Sequence, residues 1–126
     1  MSDLVRSVDF YDKLGYREIG RVAFGDGSIL VMLNLPGDGE EVTLELAYDP
    51  KINAVDVGTG FSHIAVQVDT LDATLADLAA KGVGFDEPQR PAGEHGPKTC
   101  FVRDPDGYRI EFSSPTDAPE ESELAE

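Results

Sequence analysis

Three side chains could hold one divalent cation between them: Glu45 in the segment VTLEL, His63 in FSHIAVQV and Glu111 in YRIEF. Imidazole and carboxylate donors together suit a borderline or hard divalent ion, and such an ion acidifies a neighbouring C–H or bound water. A glutamate on the polar side of a strand is ordinarily just solvated, so neither acid is informative alone. Their joint spacing is: Glu111 follows Glu45 by 66 residues. Side chains alternate across a strand, so Glu45 and Thr43 share one face of VTLEL and Val42, Leu44 and Leu46 the other. In YRIEF, Arg109 and Glu111 oppose Tyr108, Ile110 and Phe112. In FSHIAVQV, His63, Ala65 and Gln67 oppose Ile64, Val66 and Val68. All three candidate ligands therefore avoid the apolar face.

The elements that must position them form a duplicated pattern. DLVRSVDFYDKL predicts a helix with Leu4, Val8 and Tyr11 on one face, stopped at Gly15. DTLDATLADLAAKG repeats the plan with Leu71, Leu75, Leu78 and Gly82, each 67 residues further on. Such self-similarity marks a repeated unit. After the first helix, strands are predicted at YREIGRVAF, SILVMLNL and EVTLELAY, broken by the turns GDG and PGDG. After the second they are predicted at GVGFDEP, PKTCFVRD and YRIEF, the last two joined by a PDG turn. The second half also has a strand before its helix, FSHIAVQV. The repeat predicts that the equivalent strand of the first half, carrying a histidine equivalent to His63, falls ahead of Met1. Two histidines and two glutamates would suit an octahedral ion such as nickel or cobalt, or less typically zinc, with two positions open.

The 126 residues suit one domain, with module one at 1–50, module two at 60–114 and an acidic disordered tail at 115–126. A net charge of −15 disfavours nucleic acid, whose phosphates it would repel. No apolar run is long enough to span a bilayer and no targeting segment is visible, so a soluble protein without membrane contacts is expected. The single cysteine, Cys100, excludes an internal disulfide framework and suits the reducing cytoplasm; within its strand it reads as a small buried hydrophobe. His95, in the loop PAGEHGPK, reads as exposed, with a replacement ligand as the alternative.

The segments DLVRSVDFYDKLGY, ELAYD, SHIAVQVD and FVRDPDGYRIEF resemble bacterial glyoxalase I (lactoylglutathione lyase) of the vicinal oxygen chelate, or glyoxalase/bleomycin resistance, superfamily. The resemblance runs from Asp3 to about Phe112 and implies an α+β fold of paired βαβββ modules, here with the first strand missing from the N-terminus. It also implies a homodimer whose sites are shared between subunits. The family's four metal ligands are His, Glu, His and Glu, so the resemblance assigns Glu45, His63 and Glu111 to the last three. The implied reaction, a methylglyoxal-detoxifying one, isomerises the hemithioacetal of methylglyoxal and a thiol, through an ene-diolate, to an S-lactoyl thioester. Glu111 would be its catalytic base. The thiol would be glutathione or another low-molecular-weight thiol. Asp49 stands where the family commonly has a glutathione-binding asparagine, and with Lys98, a potential partner for a substrate carboxylate, is a candidate substrate-binding residue. The rival readings are a metal-free small-molecule binder of the bleomycin-resistance type and another enzyme of the same superfamily.

Overall fold

A computed structural model describes residues 1–114; the predicted acidic tail lies outside the described residues. The elements run α1 (Leu4–Lys13), β1 (Arg17–Ala23), β2 (Ile29–Asn34), β3 (Leu44–Tyr48), β4 (Ile64–Gln67), α2 (Leu71–Ala80), β5 (Lys98–Arg103) and β6 (Arg109–Ser114). They divide into two compact units: residues 1–59 with 104–107, and residues 60–103 with 108–114. The fold is α+β, and no strand precedes α1 among the described residues.

In the first unit α1 starts at Asp3, whose side chain accepts from the Arg6 amide at 3.1 Å, satisfying one of the helix's free donors. The helix ends before Gly15, whose φ of +103° takes the chain out of the helix. Strands β1, β2 and β3 form an antiparallel meander in that order. Tyr11, Leu14 and Tyr16 join Val31, Leu33 and Leu46 in its core. The Tyr11 hydroxyl donates to Asp104 at 2.8 Å, and the Ser2 hydroxyl donates to Asp106. These bonds tie residues 104–107 to the N-terminal helix segment. Val42 is 43% exposed and lies outside β3, which begins only at Leu44.

The second unit has the strand order β4-β6-β5, with β4 parallel to β6 and β5 antiparallel to it. Leu71, Leu75 and Leu78 of α2 are buried, as are Val66, Cys100, Val102, Ile110 and Phe112 of the sheet. The two helices begin 67 residues apart and each is ten residues long, as the repeat requires. Burial holds the Cys100 thiol protonated by raising its pKa, and its Sγ lies 3.0 Å from the Asp86 carbonyl, consistent with a packing role.

Two details depart from the sequence expectation. GVGFDEP is not a strand. It runs beside β5, but Asp86 N bonds to Phe101 O while Gln89 N bonds to Thr99 O, so three steps on one side match two on the other. The intervening Pro88 has no amide to donate, and only the Gln89–Thr99 bridge forms. His63 also lies one residue ahead of β4 rather than within it.

No helix among the described residues is long and apolar enough to cross a membrane.

Candidate active site

The polar face of the second unit's sheet brings His63 and Glu111 together. Glu111 is in register with Ala65 on β4 and with Phe101 on β5. His63, two residues before Ala65, therefore projects on the same face as Glu111. His63 Nε2 lies 3.8 Å from Glu111 Oε1, and the two side chains are 31% and 20% exposed. The other ring nitrogen, Nδ1, lies 2.7 Å from Ser62 Oγ. Phe101 meets the imidazole edge-on, with centroids 5.2 Å apart at 87°. Arg109 lies over the same phenyl ring, its Cζ 4.1 Å from the centroid.

Sequence reasoning put Arg109 on this face without giving it a role, and it missed Phe101 and Ser62. The signal for Phe101 is the hairpin register across residues 104–108, which sets Phe101 opposite Glu111. No pattern in the sequence marks Ser62, because its contact depends on the rotamer of His63.

Glu45 belongs to the first unit, where it is exposed on β3 and in register with Met32 of β2. In both units the strand glutamate thus has a large apolar residue opposite it, Met32 for Glu45 and Phe101 for Glu111. Among the described residues, no group of three His, Cys, Asp or Glu side chains is placed to hold an ion; the pair in the second unit is what the structure brings together.

Asp49 follows β3 in the first unit, where its Oδ1 accepts from the Lys51 amide at 2.9 Å and shapes a turn. It lines a cleft of about 260 Å³ with Tyr48, Ile29, Leu30, Phe24 and Ile52. Lys98 opens β5 on the same strand face as Cys100, the face packed against α2, and its Nζ lies 3.1 Å from Asp72 of that helix. It is on the opposite side of the sheet from His63 and Glu111. His95 is exposed in a turn.

His63 and Glu111 supply two donors of the kinds a divalent cation takes. Donors bound at about 2.1 Å would stand about 3 Å apart when adjacent and about 4 Å when opposed. The observed 3.8 Å falls between these separations. An imidazole nitrogen with a partner on its far side and a carboxylate oxygen are also the chemical types such an ion takes.

A family model, the Glyoxalase/Bleomycin resistance protein/Dioxygenase superfamily, matches residues 1–112. The chain belongs to this superfamily. Among its curated relatives, the lactoylglutathione lyase of Haemophilus influenzae is 33% identical over 114 residues, covering 89% of this chain and 84% of the relative. That of Neisseria meningitidis serogroup A is 37% identical over 117 residues, with 89% and 83% covered. Among solved structures, the trypanothione-dependent glyoxalase I of Leishmania major matches with a TM-score of 0.74 at 28% identity, over 99% of this chain and 88% of that one. Membership accounts for the duplicated helix and strand plan. Glu111 stands on β6 of the second unit's sheet, and His63 stands one residue before β4.

Proposed function

We propose that the chain is a glyoxalase I-like lyase, isomerising the hemithioacetal of methylglyoxal and a small thiol to an S-lactoyl thioester. The observation that carries this reading is the His63–Glu111 pair at 3.8 Å on one sheet face, in a chain related over most of its length to lactoylglutathione lyases. In this reading His63 and Glu111 hold a divalent metal, with Glu45 contributed where two subunits of a homodimer share a site, and an octahedral set favours nickel or cobalt over zinc. The ion, when bound, lowers the pKa of the substrate's C–H and stabilises negative charge on the adjacent oxygen. Glu111 takes the proton from the hydroxyl-bearing carbon and returns it to the neighbouring carbonyl carbon, while the hydroxyl proton passes to the former carbonyl oxygen, so no proton is gained or lost overall. Its partial burial limits exchange of that proton with solvent. Phe101 forms an apolar wall beside the pair and keeps bulk water from one side of it. The wider reading is of a cytoplasmic homodimer with shared sites, detoxifying methylglyoxal.

The test is a hemithioacetal isomerase assay of the purified chain, with nickel, cobalt or zinc added, monitoring thioester absorbance. Turnover is expected with the wild type, and Glu111→Gln is expected to lose about 10³-fold or more, the scale of a general base combined with a lost ligand. Absence of wild-type turnover with every metal, while the chain still binds S-alkyl thiols, would replace the enzyme with a small-molecule binder.

A further inference from the structure

Among the described residues, the second unit leaves one half-buried arginine without an acceptor. Arg103 pairs with Asp86 at 3.3 Å, and Arg90 donates to the Gly96 carbonyl at 2.6 Å. Arg109, on the His63 and Glu111 face of the sheet, has its guanidinium over Phe101. Its Nε is buried with no hydrogen-bond partner among the described residues. Glu111, the carboxylate two residues along the same face, meets His63 instead. In a chain with 25 acidic and 10 basic residues, an arginine with no carboxylate partner among the described residues is unusual. Its terminal Nη groups are not buried and have no recorded acceptor among the described residues, so they are open to an acceptor from outside the chain.

We infer that Arg109 is the recognition point for a carboxylate carried by the ligand of this site. The Phe101 ring packs against the guanidinium at 4.1 Å and restrains it, and a guanidinium's fork of N–H donors matches a planar carboxylate. One guanidinium balances one negative charge. A doubly charged phosphate beside Glu111 would be left with excess charge, which favours the singly charged carboxylate. The inference rests on the proposed reading only in taking His63 and Glu111 as the place where the ligand reacts.

The experiment is a calorimetric titration of S-hexylglutathione, which carries two carboxylates, and of its diethyl ester, into wild-type protein, Arg109→Met and Arg109→Lys. Wild type is expected to bind the diacid about tenfold or more tightly than the diester. Arg109→Met should bind both alike, with diester affinity unchanged, and Arg109→Lys should keep part of the preference. In wild-type protein the diacid, and not the diester, should shift the Arg109 Nε–H resonance, a readout that needs no variant to fold. A diacid preference surviving in Arg109→Met overturns the inference, as does equal loss for both probes, an absent preference in wild type or an unmoved Nε–H. The isomerase assay separates the two readings. Preference without turnover removes the reaction and keeps Arg109 as the carboxylate site, whereas turnover without preference does the reverse.

Discussion

His63 has a neighbour at each ring nitrogen: Ser62 Oγ at Nδ1 and Glu111 Oε1 near Nε2. An imidazole that binds a cation through Nε2 carries its proton on Nδ1, and Ser62 is placed to accept it. Ser62→Ala leaves Nδ1 without that acceptor and frees the ring to rotate. Roughly tenfold weaker binding of nickel is expected, measured by calorimetric titration, with a mixed Nδ1/Nε2 tautomer population in ¹⁵N spectra of the metal-free protein. Unchanged affinity and tautomer would remove Ser62 from the site. That His63 and Glu111 lie on the polar faces of their segments was legible in the alternation of strand faces, but that the two meet was not. Nor were the roles of Arg109 and Phe101, because strand alternation gives a face but not which side chains on it touch.

At the scale of elements, α1 is tied to residues 104–107 by a buried phenol. Desolvation, with the adjacent Asp104 carboxylate adding to it, raises the Tyr11 pKa far above its ordinary value near 10, so the folded state favours the neutral phenol. The sign follows from this: the contribution is fully present below about pH 10 and is lost as pH rises beyond it toward the folded-state value. Tyr11→Phe removes the hydroxyl and takes a donor from Asp104, at a cost of about 1–3 kcal/mol at neutral pH by chemical denaturation. Above pH 10 the variant should lose less stability with rising pH than the wild type does, and identical alkaline profiles would contradict this origin of the shift. The helices were readable from sequence because three apolar residues at helical spacing and a terminal glycine recur in both halves. GVGFDEP was misread because its apolar content resembles a strand, while the proline that breaks its ladder matters only once β5 lies beside it.

For the whole molecule, charge is the dominant long-range term. Five ion pairs between side chains mostly in solvent, Lys13–Asp9, Arg21–Glu18, Lys81–Asp77, Lys98–Asp72 and Arg103–Asp86, are recorded among the described residues. Exposed pairs contribute about 0–1 kcal/mol each and cannot offset the self-repulsion of a net −15. Salt screens repulsion over distances beyond the Debye length, about 30 Å at 0.01 M but near 8 Å at 0.15 M. Raising sodium chloride across that range should raise Tm by several degrees in a thermal melt. A flat or falling Tm would mean that the local pairs outweigh the net charge.

The sequence alone determined the duplicated helix-and-strand plan, its α+β class and the polar faces of its strands, since these depend on periodicity within short segments. Only the tertiary structure decided that Glu111 faces His63 across the β4–β6 pairing, that Lys98 is engaged by α2, and that Arg109 lies over Phe101 without an acceptor among the described residues. Those facts depend on which strands pair and in what register, and register is set by contacts between segments distant in sequence.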